Sequence, residues 1–135
     1  MTQSSTKLDN YFSAIQTKGN IISEKLAKRW SESTLKMMGL YMAKDGKKAL
    51  SGQLPQELSD QLNRVFRLLH FPNTNMPMQE FQSAVARRGG HSDPQFAKLA
   101  IIGVFHGLKT LIDKDTTDKV SESLSPEIRE VWDNA

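Results

Sequence analysis

Residues 96–112 read FAKLAIIGVFHGLKTLI and form the most continuously apolar stretch of the chain. Their number approaches the roughly 20 apolar residues that a helix needs to cross a bilayer. Lys98, His106 and Lys109 make that location unfavourable. A helix that is apolar on most sides is otherwise buried inside a globular domain. We therefore predict that this stretch is the central core helix, started by the N-cap and first-turn proline of Asp93-Pro94.

The composition is that of one globular domain of 135 residues, 38% hydrophobic and 24% charged. The net charge of +3 is unevenly spread: residues 1–50 carry nine basic and four acidic side chains, and residues 101–135 carry four basic and seven acidic. The absence of cysteine excludes disulfides, thiolate-zinc sites and cysteine nucleophiles. The first residues lack the pattern of a secretory signal, so we expect a cytoplasmic protein without membrane insertion.

Apolar residues recur at helical spacing, and no window shows strand alternation. Ser23 is predicted to cap a long helix that reaches about Met42, and a short helix toward Leu50 is predicted to end at Ser51-Gly52. Further helices are expected from Pro55 to about Leu69, across Phe81 to Arg88, from Asp113 to Val120, and from Ser125-Pro126 onward. The pattern predicts an all-α fold.

The chain also contains an internal repeat. At an offset of 70, residues 8–62 align with residues 78–132 without a gap. Ten of these 55 pairs are identical, whereas about three are expected from average residue usage. Apolar positions align as well, for example Tyr11 with Phe81.

One unit of this length buries too little surface to be comfortably stable alone. We therefore predict a helical bundle of two pseudo-two-fold-related repeats, about residues 8–62 and 78–132, that share one core. As a domain, residues 1–135 divide into repeat 1 at about 8–69, a linker at 70–77 and repeat 2 at about 78–135.

Three segments carry a resemblance to a known family. They are Gln53–Leu58, Phe81–Val85 and Leu124–Trp132, which read QLPQEL, FQSAV and LSPEIREVW. With the tandem organisation, they resemble the bacterial domain-of-unknown-function family 2267 over nearly the whole chain. The resemblance implies a small all-helical bacterial protein of two such units, and it implies no reaction. The polar, basic helix 23–36 of the first half departs from the family pattern.

Two groups of basic residues are candidate anion or nucleic-acid sites. Arg87 and Arg88 precede Gly89-Gly90-His91-Ser92, a flexible segment close to a helix start that would suit a phosphate. The same residues fit a helix C-terminus with cations in its last turn, as Lys18-Gly19 does in the first repeat. The second group would follow a nucleic-acid backbone or form a solvated helix face; it comprises Lys25, Lys28, Arg29 and Lys36, with Lys44, Lys47 and Lys48 beyond.

The remaining polar candidates indicate neither a metal site nor a catalytic site. Asp113, Asp115 and Asp118 lack the glycine and glutamate that a calcium loop needs, and we expect them at the start of a short helix. Gly103, His106 and Gly107 are predicted to form a helix-packing face. No nucleophile–base pattern accompanies His106, so no catalytic residue and no cofactor are assigned.

The leading hypothesis is a non-catalytic helical binding or adaptor protein that acts through protein–protein contacts, either with another protein or by self-association. The alternative is a nucleic-acid or anion-binding protein that uses the basic first repeat and Arg87-Arg88. An enzyme ranks third.

Overall fold

The chain is helical throughout the part that the structure describes. The structure is a computed structural model that describes residues 2–64, 72–90 and 94–135. In the first helix, side chains are described from Thr6 onward. No strand occurs in these residues, which confirms the predicted all-α fold class. Their eight helices are α1 (Thr2–Gly19), α2 (Glu24–Tyr41), α3 (Lys44–Gln53), α4 (Gln56–Asn63), α5 (Met78–Arg88), α6 (Pro94–Leu111), α7 (Lys114–Ser123) and α8 (Pro126–Asn134).

Side-chain caps begin two of these helices. The hydroxyl of Ser23 accepts a hydrogen bond from the amide of Leu26 at 3.1 Å. The carboxylate of Asp113 accepts one from the amide of Thr116 at 2.9 Å. Each cap satisfies an amide that has no partner within its own helix. Both predicted helix starts are confirmed, whereas the predicted cap Asp93 lies outside the described residues.

The third helix is longer than its sequence predicts. The early end at Ser51-Gly52 is wrong, because α3 continues to Gln53. A glycine inside a helix costs about 1 kcal/mol relative to alanine. Contacts on both sides offset that cost: α3 packs along α7, and its Ser51 hydroxyl lies 2.6 Å from the Ser59 hydroxyl of α4. The backbone leaves the helix at Leu54, immediately before a proline.

The backbones of α1 and α6 pack close together at the predicted small residues. A β-carbon at Gly103 would lie 2.9 Å from the carbonyl oxygen of Ile15 and 3.0 Å from the Cα of Gly19. One turn further, a β-carbon at Gly107 would lie 2.9 Å from the ring of Tyr11. Rising residue numbers on α6 meet falling numbers on α1, so the two helices run antiparallel.

His106 does not belong to this glycine face. Its Nδ1 lies 3.1 Å from the carbonyl oxygen of Ala135, after the end of α8. The predicted packing face therefore consists of Gly103 and Gly107 against α1, and the histidine contacts another part of the chain.

The second helix packs against both α1 and α5. The hydroxyls of Tyr11 and Ser31 lie 2.6 Å apart in the core, and burial raises the pKa of the Tyr11 phenol. The hydroxyl of Ser33 donates to the carbonyl oxygen of Val85 in α5 at 2.9 Å.

The end of α1 at Gly19 packs against Leu99 and Gly103 of α6, and the short connection from Gly19 to Glu24 leads into α2. Arg29 of α2 lies near Arg88 at the end of α5. The last turns of α1 and α5 and the early turns of α2 and α6 therefore share one end of the bundle.

A single cluster of buried apolar side chains joins the two halves of the sequence. The ends of α2 and α6 differ by 70 residues, as do those of α3 and α7. The following pairs at that offset are buried in both members: Tyr11/Phe81, Ile15/Val85, Ala27/Ala97, Leu35/Phe105, Met38/Leu108, Leu50/Val120, Leu54/Leu124, Leu58/Ile128 and Leu62/Trp132. The pseudo-two-fold axis and the division into two repeats stay predictions.

The described part of the predicted linker is packed against the helices. Met76 is buried, and its carbonyl oxygen accepts a hydrogen bond from the Ser125 hydroxyl at 2.6 Å. The amide of Asn73 donates to the carbonyl oxygen of Tyr41 at 2.9 Å. The start of the linker, and the predicted extension of the α4 segment to Leu69, lie outside the described residues.

The central helix α6 is confirmed in type but not in its uniform burial. It contacts α1, α2, α5 and α8. Phe96 is 70% exposed and Leu99 is 44% exposed, so the prediction that the whole stretch is core is wrong over its first turns. The buried face there runs through Ala97 and Ala100, and Phe96 and Leu99 point away from it. Among the described helices, none is both long and apolar enough to cross a membrane.

We expect Gly103→Ala to destabilise the fold by about 1–3 kcal/mol, because the added methyl group meets backbone atoms of α1 that cannot rotate away. Gly52→Ala is the matched control. It also lies in a helix, but its β-carbon would meet nothing within 4 Å, so we expect a gain of up to about 1 kcal/mol. Urea unfolding measures both. Equal stability of the two variants would contradict the close α1–α6 packing.

A second prediction concerns acid. The Gln53 side-chain amide donates to Asp113 Oδ2 at 2.7 Å and, with the amide of Thr116, lowers the pKa of that carboxyl. A carboxyl whose pKa is lowered by folding contributes stability above its unfolded pKa, and loses it as the pH falls through its folded pKa. Asp113→Asn should therefore be less stable than the wild type at neutral pH, and the difference should vanish in strong acid. A difference independent of pH would show that the charge is irrelevant.

Candidate functional site

One end of the bundle is strongly basic. We call it the basic end; it comprises residues 18–29, 87–90 and 94–99, where α1 and α5 finish and α2 and α6 begin. Glu24 is its only carboxylate among the residues that the structure describes. The basic end has seven cationic side chains, all exposed: Lys18, Lys25, Lys28, Arg29, Arg87, Arg88 and Lys98. The two predicted groups of basic residues therefore meet at one place.

Helix ends do not account for all of this charge. Two helix C-termini and two N-termini share the basic end, so their dipoles largely cancel. Arg87 and Arg88 lie in the last turn of α5, where a cation is favourable, as the C-terminus interpretation requires. Lys25 lies in the first turn of α2, and Lys28 and Lys98 follow in the second turns of α2 and α6, where the dipole offers a cation no gain.

A cleft between α2 and α5 lies beside the basic end. It has a volume of about 400 Å³ and is lined by Arg29, Glu32, Ser33 and Lys36 of α2, with Arg88, Gly89 and Gly90 of α5 and its end. We call it the α2–α5 cleft. The residues of its two walls are more than fifty positions apart in the sequence, and they come together because α2 packs on α5.

The cations of the cleft differ in their pairing. Lys36 is largely buried and donates to Glu32 at 2.6 Å, so these two charges offset each other. The guanidinium groups of Arg29 and Arg88 make no hydrogen bond or ion pair with any residue in the described ranges. A guanidinium presents several N–H donors in one plane and binds carboxylate or phosphate oxygens in pairs. The cleft thus has at its rim two guanidinium groups that no described residue pairs.

Exposed apolar side chains share this end with the cations. Ile22 is 95% exposed, Phe96 70%, Leu99 44% and Leu26 37%, and these are the exposed large apolar residues of the described chain. Phe96 and Leu99 are three apart on α6 and therefore share a face. Single exposed apolar residues are ordinary on a protein surface, whereas a concentration of them at one end is unusual.

Sequence reasoning missed this apolar group. It assigned Phe96 and Leu99 to the core as part of the stretch 96–112, and it gave Ile22 no role. A hydrophobic residue directly before an N-cap, as Ile22 stands before Ser23, commonly packs against the fourth helical residue. Here that residue, Ala27, is fully buried and Ile22 is almost fully exposed. No local sequence signal distinguishes this arrangement from the usual one.

Three further lysines of the predicted basic face lie away from the basic end. Lys44, Lys47 and Lys48 lie beyond the far end of α2, around a different cleft that also includes Asp45. Burial lowers the pKa of Lys47. These lysines therefore lie at the opposite end of α2 from the basic end, and their part in the predicted basic face stays a prediction.

No metal-binding arrangement accompanies the basic end. Within residues 2–64, 72–90 and 94–135, no three histidine or acidic side chains come close enough to hold a metal ion. His91 and Ser92, which belong to the predicted anion segment, lie outside the described residues, as does His70.

A family model described as "Uncharacterized conserved protein (DUF2267)" matches residues 9–131. The chain belongs to this family. The match confirms the resemblance seen in the tandem motifs, and it includes the whole basic end. No curated protein matches the sequence. The family description assigns no activity, so the proposals below rest on the geometry of this chain.

We expect Ile22→Ser combined with Phe96→Ser to change the free energy of unfolding by no more than about 1 kcal/mol in total, because both side chains are exposed. The control, Phe81→Ser, removes a buried ring and should cost about 3 kcal/mol or more. Urea unfolding compares them. A large loss in the double variant would mean that Ile22 and Phe96 belong to the core.

Proposed function

We propose that the protein is a non-catalytic helical binding or adaptor protein that acts through protein–protein contacts made by its basic end. The observation that carries this proposal is the exposure of Ile22, Leu26, Phe96 and Leu99 at that end. Apolar surface exposed to water favours association, because burying it releases ordered water. A surface of this kind supports a binding role more directly than any other feature of the described residues.

The distribution of residue types supports the same proposal. Protein interfaces combine a few anchoring side chains, often aromatic, with a polar rim that stays hydrated. Phe96 is the aromatic residue of the apolar group, and seven cations surround that group in the same end. Fully burying one such apolar side chain contributes roughly 1.5–3 kcal/mol. Burying the four exposed apolar side chains therefore contributes several kcal/mol, which offsets part of the entropy that two molecules lose on association.

The cellular setting is part of this proposal. We place the binding in the cytoplasm of a bacterium, where the partner is another protein or a second copy of this chain. The bacterial character of the resembling family and the ordinary globular composition support this placement.

Affinity capture from a nuclease-treated lysate of the source cell tests the proposal. The wild-type chain should recover a partner in stoichiometric amount. The double variant Ile22→Ser with Phe96→Ser should recover at least tenfold less of that partner, because two anchoring side chains are removed. The control carries Lys44→Ser and Lys114→Ser at exposed first-turn positions of α3 and α7, and should retain the partner. Equal recovery by both variants would overturn the proposal.

The second candidate function is nucleic-acid or anion binding through the basic first repeat and Arg87-Arg88. The excess of seven cations over one carboxylate at the basic end favours it. Binding of a DNA duplex to such a surface should weaken steeply with salt, because phosphate contacts release counterions.

If this second function holds, Lys25→Gln with Lys98→Gln should lower the slope of log affinity against log salt by about 2. Lys44→Gln with Lys114→Gln should leave that slope unchanged. Fluorescence anisotropy of a labelled duplex over a salt series measures it. Equal slopes for the two variants would exclude specific phosphate contacts by the basic end.

A further inference from the structure

We propose that the basic end receives an acidic, amphipathic helix of the partner protein, and that the α2–α5 cleft binds a carboxylate side chain of that helix between Arg29 and Arg88. This inference rests on the proposed protein-binding function and adds the chemistry of the partner.

Charge complementarity is the first step. The seven exposed cations of the basic end face one carboxylate, Glu24, among the described residues. A basic partner would be repelled from this surface, and a neutral one would leave the cations unpaired. An acidic partner is steered toward it and gains charge-assisted hydrogen bonds on arrival.

The cleft provides the specific contact. Lys36 is already paired with Glu32 at 2.6 Å, whereas Arg29 and Arg88 have no partner within the described chain. A volume of about 400 Å³ has room for a side chain and not for a folded domain. A carboxylate held by two guanidinium groups there forms the strong, planar type of hydrogen bond.

The arrangement along α2 sets the register of the partner. Leu26 and Arg29 are three residues apart and lie on one face of the helix, with about 5–6 Å between their β-carbons. An apolar side chain that rests on Leu26 therefore lies one helical turn from a carboxylate that reaches Arg29. A partner helix with leucine or isoleucine three or four residues from glutamate satisfies both contacts.

The same residues favour a carboxylate over a nucleic-acid phosphate. Single-stranded nucleic acids bind proteins with exposed aromatic rings on which bases stack. Trp30 is buried, and the exposed apolar residues besides Phe96 are aliphatic. Aliphatic side chains add affinity for a protein helix and none for a phosphate backbone.

Two synthetic helical peptides test the inference. The first repeats leucine and glutamate at spacings of three and four, and the second replaces every glutamate by glutamine. The glutamate peptide should bind the wild-type chain at least tenfold more tightly in fluorescence anisotropy. Arg29→Gln with Arg88→Gln should reduce that preference to within about twofold. Lys44→Gln with Lys48→Gln, the same charge change at exposed positions of α3, should preserve it.

Three outcomes would overturn the inference. The first is equal or absent binding of the two peptides. The second is a preference for glutamate that survives Arg29→Gln with Arg88→Gln. The third is tighter, Arg88-dependent binding of a DNA duplex or of phosphatidylglycerol–phosphatidylcholine vesicles, which would assign the cleft to phosphate.

The two proposals fail in different ways. If the captured partner is lost with Ile22→Ser and Phe96→Ser but retained with Arg29→Gln and Arg88→Gln, protein binding stands and the carboxylate contact is wrong. If the partner is retained by both variants, the binding function of the basic end is wrong as well.

Discussion

The close approach of the α1 and α6 backbones at Gly103 is the constraint on which the rest of the structure depends. No side chain fits between Gly103 and the carbonyl oxygen of Ile15, so the distance between α1 and α6 and their register along each other are both fixed at this point. That register is antiparallel and places the last turn of α1 beside the first turns of α6. The basic end exists because of it: Lys18 and Lys98 are 80 residues apart in the sequence and come to the same end of the bundle.

Hydrogen bonds between α3 and α7 fix the opposite end in a similar way. The amide of Ala43 donates to the carbonyl oxygen of Ser123 at 3.1 Å, and the amide of Asp113 donates to the side-chain oxygen of Gln53 at 2.8 Å. Ala43 and Asp113 are 70 residues apart, as are Gln53 and Ser123, so equivalent positions of the two halves make reciprocal bonds. With both ends fixed, the buried cluster between them couples the halves into one core.

The sequence contains enough information for the fold class and for the starts of several helices. Periodicity, the caps Ser23 and Asp113, and the offset of 70 are local or internally repeated signals, so they can be recognised without tertiary structure. The exposure of Phe96 could not be predicted, because it depends on which face of α6 the other helices cover. The α2–α5 cleft could not be predicted either. Arg29 and Arg88 were each recognisable as basic candidates, but only the packing that Ser33 and Val85 secure brings them together.

At the α2–α5 cleft, aligned positions of the two halves of the sequence differ in residue type. At the offset of 70, Gly103 and Gly107 correspond to Ser33 and Met37. Glycine lets α1 and α6 pack closely, whereas the corresponding contact between α5 and α2 contains the hydroxyl of Ser33 and the thioether of Met37. At the same offset, Arg29 of the cleft corresponds to Leu99, and Arg88 of the cleft corresponds to Lys18. The two halves therefore present different surfaces at aligned positions: glycine lets α1 and α6 meet backbone to backbone, whereas α2 and α5 leave Arg29 and Arg88 at the rim of a cleft.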